Sequence, residues 1–248
     1  MKKILILIIS AIVIIAAIVT IIIIVKEKTG KLIMVTEAGF APYEFYDDKG
    51  NIVGVDVEIG KAIATEMGKT LVIEDTNFDT LLDKVKSGQA DFSAAGLSIT
   101  EDRLTEVNFS IEYAISKQVI VVKKGSNIIS IDDLNGKKVS VQTGTVADSA
   151  LKEDYPEIKV VERKEYSLAV SDVLIGDSSA IVMDSVPAGS VVNDNPELEI
   201  LPKELFTDKY GIAVKKGNDK LLNTINTVLQ RLMDEGKIQE YTMQYLGE

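Results

Sequence analysis

The sequence predicts an α/β protein with two lobes, each a mostly parallel sheet flanked by helices, behind an N-terminal transmembrane anchor. Three observations support this prediction. Short apolar runs alternate with amphipathic helical stretches, the alternation occurs twice along the chain, and an unbroken apolar segment precedes both units. With 248 residues, 46% of them hydrophobic, the chain is long enough to bury one large core or two modest ones.

The N-terminal apolar segment runs from Ile4 to Val25 and has lysines on both sides. As a helix it would be about 33 Å long, enough to cross a hydrocarbon core of about 30 Å. A cleavable signal peptide has a shorter apolar region of about 7 to 15 residues and a small-residue cleavage site, which fits less well. We therefore expect residues 1–30 to be an uncleaved membrane anchor.

The first α/β unit follows the anchor. Its predicted elements are the strand "KLIMV", the helix "DVEIGKAIATEMG", the strand "TLVIED", the helix "FDTLLDKVKSG" and the strand "DFSAAG". Each helix is expected to stop at its final glycine. Alternating strands and helices form a parallel unit whose functional loops lie at the carboxyl ends of the strands. The loops "TEAGF", "TNF" and "GLSIT" fall at that edge.

A second unit of the same kind begins near Gln118. Its strands are read in "QVIVVKKG", "KKVSVQTGT", "IKVVER" and "SSAIVMD". The C-terminal tail has two helices but no sheet of its own, so we expect it to return to the first unit. The predicted first lobe is residues 31–116 with 210–248, and the second is residues 117–209. Two crossing segments join the lobes, and a ligand cleft is expected between them.

The composition excludes several kinds of function. The chain contains no cysteine and no histidine, which removes thiol nucleophiles, imidazole metal sites and disulfides. Its formal net charge of −11 works against binding nucleic acid or anionic lipid. We expect no metal, no cofactor and no nucleic-acid partner.

Arg103 is the first candidate for ligand binding. It lies just inside a helix that Thr100 is expected to cap, in the stretch "GLSITEDR". A guanidinium and the N–H groups of a helix start both suit a carboxylate, and the hydroxyl of Ser98 can add to them. The alternative is an ion pair with a nearby acid, Glu101, Asp102 or Glu106.

Asp184 is the second candidate, because it ends the apolar strand "AIVMD". A carboxylate at the carboxyl end of a buried strand faces the crevice and suits an ammonium group. The alternative is that Asp184 caps the following turn. The stretch "VQTGTVAD" offers backbone N–H groups to an anion, or is an ordinary strand-to-helix connection. Among the aromatic residues, Phe40 and Phe78 stand at loop ends and are expected to form walls.

From Lys31 to its end the chain resembles the extracytoplasmic solute-binding proteins of ABC transporters, in the polar amino-acid family, family 3. The segments that carry the resemblance are "TEAGFAPYEF", "GNIVGVDVEIGKAIA", "FDTLLDKVKSGQADFSAAGLSITEDR", "VNFS", "LNGKKVSVQTGT", "AIVMD", "YGIAVKKGN" and "YLGE". The resemblance implies a type II periplasmic-binding-protein fold with a two-strand hinge. It also implies a non-enzymatic protein outside the cytoplasm that delivers a free amino acid to an ABC permease. We expect a monomer, held to the cell membrane by its N-terminal helix.

The resemblance assigns roles at the α-amino-acid end of the ligand. It gives Arg103 the α-carboxylate, with help from backbone near Ser98 and Thr145. It gives the α-ammonium to Asp184 and Gly96. The segments "GDSSAIVMD" and "IEYAIS" depart from the family pattern, and the lipobox cysteine is missing, but none of these changes touches the assigned contacts.

The resemblance also assigns the side-chain end of the ligand. Phe40 and Phe78 flank it, while Glu37 and Gln142 approach it. A buried carboxylate favours a cationic side chain such as that of arginine, lysine or histidine. An amide partner suits glutamine, which stays open as a ligand.

Two functions of other classes also fit this fold. One is a ligand-sensing ectodomain that works with a membrane receptor. The other is an enzyme similar to cyclohexadienyl dehydratase. An enzyme would need a catalytic acid in place of ammonium binding, whereas this sequence keeps Asp184 and Arg103 and has no histidine.

Overall fold

The computed structural model describes residues 30–247, as thirteen strands and eight α-helices. The strands are β1 (Lys31–Thr36), β2 (Phe45–Tyr46), β3 (Ile52–Val53), β4 (Thr70–Asp75), β5 (Phe92–Ser93), β6 (Asn108–Phe109), β7 (Ala114–Lys123), β8 (Lys138–Gln142), β9 (Lys159–Arg163), β10 (Ala180–Asp184), β11 (Leu198–Ile200), β12 (Phe206–Tyr210) and β13 (Ala213–Val214). The helices are α1 (Val55–Met67), α2 (Leu81–Ser87), α3 (Glu101–Glu106), α4 (Val146–Asp154), α5 (Tyr166–Ile175), α6 (Ser185–Asp194), α7 (Asp219–Asp234) and α8 (Lys237–Leu246).

The predicted membrane anchor lies outside the described residues, except for Gly30. Within residues 30–247, no helix has the length and apolar character needed to cross a bilayer. The anchor therefore stays a prediction from the sequence.

Local sequence explains where the first helices begin and end. Helix α1 buries its apolar positions Val57, Ile59 and Ile63, whereas the predicted inward positions Ala62 and Met67 are only partly buried. The glycines that follow α1 and α2 adopt the left-handed conformation, as expected for residues that terminate helices. These helices cover the sheet and fix the loops that follow the strands.

The first sheet has the order β4-β1-β5-β13-β6. Strand β1 pairs in parallel with both β4 and β5, which is the arrangement that strand-helix-strand units produce. Strand β13 lies between β5 and β6 and is antiparallel to both. The C-terminal part of the chain therefore returns to the first sheet.

The second sheet has the order β11-β7-β10-β8-β9, with β12 also paired to β7. Strand β8 is parallel to β9 and β10, but β7 is antiparallel to β10, β11 and β12. The prediction of mostly parallel sheets is therefore wrong in detail. Strands that enter from the other lobe arrive without a crossover helix, so nothing forces them into the parallel direction.

Two long strands connect the lobes. Strands β7 and β12 pair antiparallel from Ala114 opposite Tyr210 to Gln118 opposite Phe206. Both predicted crossing segments lie in this pair. The two-lobed α/β fold is thus confirmed, while the lobe limits at residues 116/117 and 209/210 stay a prediction, because β7 is continuous across the first of them.

Candidate ligand-binding site

A cavity lies between the two sheets and brings the sequence-predicted residues together. All of them except Arg103 line it: Glu37, Phe40, Phe78, Gly96, Ser98, Gln142, Thr145 and Asp184. Arg103 contacts this lining directly, through the Ser98 carbonyl and the Phe78 ring. The lining also contains Glu44 and Tyr166, which the sequence analysis did not select. Ligand binding by these residues stays a prediction.

Arg103 is held at the edge of the cavity by backbone carbonyls. Its Nη1 donates to the Ser98 carbonyl at 2.6 Å, and its Nη2 donates to the Gly144 carbonyl of the second lobe at 3.0 Å. Its backbone N–H donates to Thr100 Oγ1 at 3.2 Å, so Thr100 caps α3 as predicted. The guanidinium lies over the Phe78 ring, 5.6 Å from the ring centroid.

The electrostatic surroundings of Arg103 argue against the local ion-pair alternative. Within residues 30–247, the Arg103 guanidinium forms no salt bridge with any carboxylate, including those of its own helix. Burial lowers the pKa of Arg103 from its ordinary value, while the negative charges of Asp208 and Asp184 act in the opposite direction. The group remains a cation because an arginine pKa starts far above neutral pH. It is therefore available to an external carboxylate.

Asp184 is buried and held by three donors. Its Oδ1 accepts hydrogen bonds from Ser116 Oγ at 2.5 Å, Gln118 Nε2 at 2.8 Å and Tyr210 OH at 2.5 Å. Asp184 stands at the start of α6, but its side chain makes no capping hydrogen bond. The alternative that Asp184 serves as a cap for the following turn is therefore wrong. Burial raises its pKa to about 6 and the charge of Asp208 adds to this, while the three donors oppose it. At pH 7 the carboxylate is mostly ionised.

Gly96 places its backbone against the cavity in a conformation that favours glycine. Its φ is 53°, and a Cβ atom there would lie 2.7 Å from Cε1 of Phe40. Its N–H donates to Asp56 Oδ2 at 2.9 Å, and the hydroxyl of Tyr113 donates to the same oxygen. The Gly96 carbonyl accepts no hydrogen bond from the described residues, so it remains able to accept one from a ligand.

Ser98 differs from the sequence prediction in one respect. Its hydroxyl was expected to face the ligand carboxylate, but it donates to Asp208 Oδ2 at 2.5 Å. Its carbonyl accepts from Arg103. The Ser98 carbonyl therefore orients the guanidinium, while the Ser98 hydroxyl donates its proton to Asp208.

Thr145 starts the second-lobe helix that faces the cavity. Its Oγ1 accepts from the Asp148 N–H at 3.3 Å and donates to the Gln142 carbonyl at 2.8 Å. Helix α4 follows directly, and its first residue, Val146, also lines the cavity. The Gly144 N–H already donates to Asp148 Oδ2 at 3.0 Å and the Asp148 N–H to Thr145, so both interpretations of this segment stay open.

Glu37 and Gln142 lie next to each other at another part of the cavity. Glu37 is 7% exposed. Burial raises the pKa of Glu37 to about 7, the Gln142 side chain opposes this, and the charges of Asp75 and Glu165 add to it. The amide nitrogen of Gln142 also donates to the Lys164 carbonyl at 3.0 Å, which fixes the orientation of the amide.

Glu44 is a functional candidate that the sequence analysis missed. Glu44 is buried, and its Oε2, like Oδ1 of Asp56, has no protein donor among the described residues. Burial raises the pKa of Glu44 well above its ordinary value, and the charge of Asp56 adds to the shift. The raised pKa favours the protonated, neutral form of Glu44 next to the Asp56 carboxyl. The segment "PYEF" gives the signal, an acid between Tyr43, which packs in the core, and the half-buried Phe45.

Tyr166 is the other missed residue. It is the first residue of α5 and follows the carboxyl end of β9, which is the edge where ligand residues are expected. Its ring stacks on Phe40 with centroids 5.4 Å apart and an interplanar angle of 19°. Its position just after the end of a predicted strand is the sequence feature that could have identified Tyr166 as a candidate. Within residues 30–247, no group of three or more acids is arranged to hold a metal ion.

Comparison with known proteins identifies the family. The family model described as "Bacterial extracellular solute-binding proteins, family 3" matches residues 32–248. The chain belongs to this family. Several relatives are named as binding proteins of ABC transporters, which fits a protein that is not an enzyme.

Relatives within family 3 extend over most of the chain. The Escherichia coli protein named "Putative ABC transporter arginine-binding protein 2" is 32% identical over 81% of this chain and 84% of its own length. A solved structure of a mutant of ArgBP from T. maritima has a TM-score of 0.85 and 39% identity, covering 88% of this chain and 96% of that one. An ancestral arginine-binding protein has been solved with arginine and with glutamine, at TM-score 0.83 and 36% identity, covering 88% and 99% of the two chains.

Proposed function

We propose that this protein binds a free amino acid with a cationic side chain between its lobes and delivers it to an ABC permease. The observation that carries the proposal is a pair of opposite charges at the cavity without protein counterions. Arg103 is held by two carbonyls and Asp184 by three neutral donors, and within residues 30–247 neither forms a salt bridge. A zwitterionic amino acid supplies a carboxylate for the first and an ammonium for the second.

The preference for a cationic side chain rests on the acids at the cavity. Glu37 lines it and Asp208 lies next to Ser98, while Glu44 also lines it but favours its neutral form. Among the described residues, Arg103 is the cationic side chain that forms a hydrogen bond with the lining residue Ser98. A ligand that adds positive charge relieves this excess of carboxyl groups. The arginine-binding relatives support the same preference, while the glutamine complex of the ancestral protein keeps glutamine as the alternative ligand.

Closure of the lobes is the proposed mechanism of capture. Contacts that join the lobes around the cavity include Arg103 with the Gly144 carbonyl, Lys164 with Asp79, and the stack of Phe40 on Tyr166. A ligand that bridges Arg103 and Asp184 would add to these contacts and stabilise the closed arrangement. Burial strengthens each charged hydrogen bond because water is expelled. The permease then recognises the closed form.

The proposed location is outside the cytoplasm, with the protein held to the membrane by residues 4–25. The family description supports an extracellular site of action. The membrane attachment rests on the length and apolar character of the segment alone. Retention of the full chain, and release of a chain lacking residues 1–29, in membrane fractionation would support it.

Titration calorimetry with arginine on three variants tests the proposed function. Arg103→Ala and Asp184→Asn each remove the protein partner proposed for one charged group of the enclosed ligand. Such a loss costs about 2 to 5 kcal/mol, so affinity should fall roughly 30-fold to a few thousand-fold. Arg231→Ala is the matched control, since Arg231 pairs with Glu66 on the outer surface. Unchanged affinity in a folded Arg103→Ala protein would contradict the proposal.

A further inference from the structure

Tyr166 brings a polar group into the cavity from the second lobe. It is 4% exposed and lines the cavity together with Glu37, Glu44 and Asp184. The sequence-predicted aromatic walls, Phe40 and Phe78, both belong to the first lobe. Tyr166 is therefore an aromatic residue that reaches the ligand compartment from the opposite side.

The hydroxyl of Tyr166 has no hydrogen-bond partner among residues 30–247. Buried tyrosine hydroxyls normally find one, and in this protein Tyr113 donates to Asp56 while Tyr210 donates to Asp184. Tyr43 also lacks a partner in the described chain, but it does not line the cavity. Tyr166 thus combines a buried residue, a hydroxyl without a hydrogen-bond partner in the described chain, and a place in the cavity wall.

The Tyr166 ring restricts where the ligand side chain can lie. The centroids of Tyr166 and Phe40 are 5.4 Å apart and the rings are nearly parallel. A planar group inserted between two rings needs a separation of roughly 7 Å, from two contacts of about 3.5 Å each. No such gap exists between these rings. A ligand side chain that contacts Tyr166 must therefore lie along the ring edge.

Three acids, Glu37, Glu44 and Asp184, line the same cavity as Tyr166. The charges of Asp184, Glu37, Asp208 and Glu44 add to burial and raise the pKa of Tyr166 well above its ordinary value. The phenol stays neutral, so its oxygen keeps the lone pairs that accept a hydrogen bond from a cation.

We propose that Tyr166 determines side-chain specificity: its hydroxyl accepts a hydrogen bond from the cationic end of the ligand, while its ring closes that end of the cavity against Phe40. This inference rests on the proposed binding of a cationic amino acid. It adds a second-lobe contact that forms only when the lobes close over the ligand. Discrimination between long cationic side chains and shorter neutral ones then depends on Tyr166 as well as on Glu37.

The test is calorimetry on the full chain in mild detergent, with arginine titrated directly and glutamine measured by competition. Tyr166→Phe removes only the hydroxyl and keeps the stacked ring. A hydrogen bond to a charged group is worth enough that arginine affinity should fall about tenfold or more. Glutamine, whose side chain is shorter by two bonds, should change less than about threefold on the same scale. Tyr241→Phe on α8 is the matched control and should change neither value.

Two results would overturn the inference. Unchanged arginine affinity in Tyr166→Phe would show that the hydroxyl makes no useful contact. Equal losses for arginine and glutamine would place the contact at the shared α-amino-acid end. Tyr166→Leu, which also removes the ring, should lose more arginine affinity than Tyr166→Phe if the ring closes the cavity. If wild-type protein bound no amino acid, the proposed function itself would fail, which is a different outcome from a Tyr166 effect.

Discussion

The Glu37→Gln substitution keeps the size of the side chain and removes its charge. Burial raises the pKa of Glu37 to about 7, so this carboxyl changes ionisation within the accessible pH range. With such a pKa, about one carboxyl in eleven is ionised at pH 6 and about ten in eleven at pH 8. Only the ionised form attracts a cationic side chain. The wild-type affinity for arginine should therefore rise about tenfold from pH 6 to pH 8.

The size of the Glu37→Gln effect follows from the same geometry. Two unit charges about 4 Å apart attract by about 4 kcal/mol at an effective dielectric constant of about 20. The cost of removing water from the Glu37 carboxylate and the ligand cation offsets part of this attraction. The expected net loss for arginine is about 2 to 3 kcal/mol at pH 8, or roughly 30-fold to 150-fold. At pH 6 the loss should be about ten times smaller, because wild-type Glu37 is already mostly neutral.

Titration calorimetry at pH 6, 7 and 8 measures this effect, with arginine and glutamine as ligands. The carboxyl of Asp184, with a pKa of about 6, also titrates in this range. Asp184 is expected to bind the ammonium that both ligands share, so the ratio of the two affinities isolates Glu37. Buffers of different ionisation enthalpy report the proton that arginine displaces from Glu37 near pH 7.

Glu165→Gln is the matched control for Glu37→Gln. Glu165 is exposed, and its charge contributes to the raised pKa of Glu37. Its substitution should lower that pKa slightly and leave the preference for arginine in place. The reasoning would be refuted if Glu37→Gln weakened arginine and glutamine equally, or if the wild-type affinity ratio did not change with pH.

Three further predictions follow from the same residues. Gly96→Ala should lower the free energy of unfolding by about 1 to 3 kcal/mol, since its φ is positive and the new Cβ meets Phe40; denaturant unfolding measures this. Lys164→Ala and Asp79→Ala should each speed arginine release in stopped-flow experiments. The coupling energy between the two substitutions should be below about 1 kcal/mol, because Lys164 is half exposed. Fully additive effects of the two substitutions would show that this ion pair does not hold the lobes together. The free energy of unfolding of the ligand-free protein should fall as pH rises from about 4.5 to 7, and Glu37 should account for about 3 kcal/mol of this loss. The reason is that the Glu37 carboxyl keeps its proton to a higher pH in the folded state than in the unfolded state. The same dependence of unfolding free energy on pH in Glu37→Gln would contradict this.

Helix ends and strand-end residues were predictable because their signals are local. Thr100 caps α3 through its own side chain, and the glycines after α1 and α2 end those helices by their backbone conformation. Arg103 was selected because it lies just inside a capped helix, and Asp184 because it ends an apolar strand. These features depend on a few residues that are neighbours in the sequence, so they can be predicted from the sequence alone.

Strand direction and the two missed residues depend on contacts between distant parts of the chain. The antiparallel pairing of β7 cannot be read from its apolar pattern, which is the same for either direction. Glu44 becomes a candidate through its burial beside Asp56, and Tyr166 through its stacking on Phe40 of the other lobe. In each case the chemistry comes from the partner that folding brings close.

Thermal unfolding of residues 30–248 with each common amino acid tests the central claim most directly. The sample is first refolded to remove carried ligand, and each amino acid is added at millimolar concentration. A micromolar ligand at that excess stabilises the protein by about 4 kcal/mol, which raises Tm by roughly 8 to 16 °C. The account predicts a shift of this size for arginine, lysine or histidine. A folded sample whose Tm responds to no amino acid would contradict it.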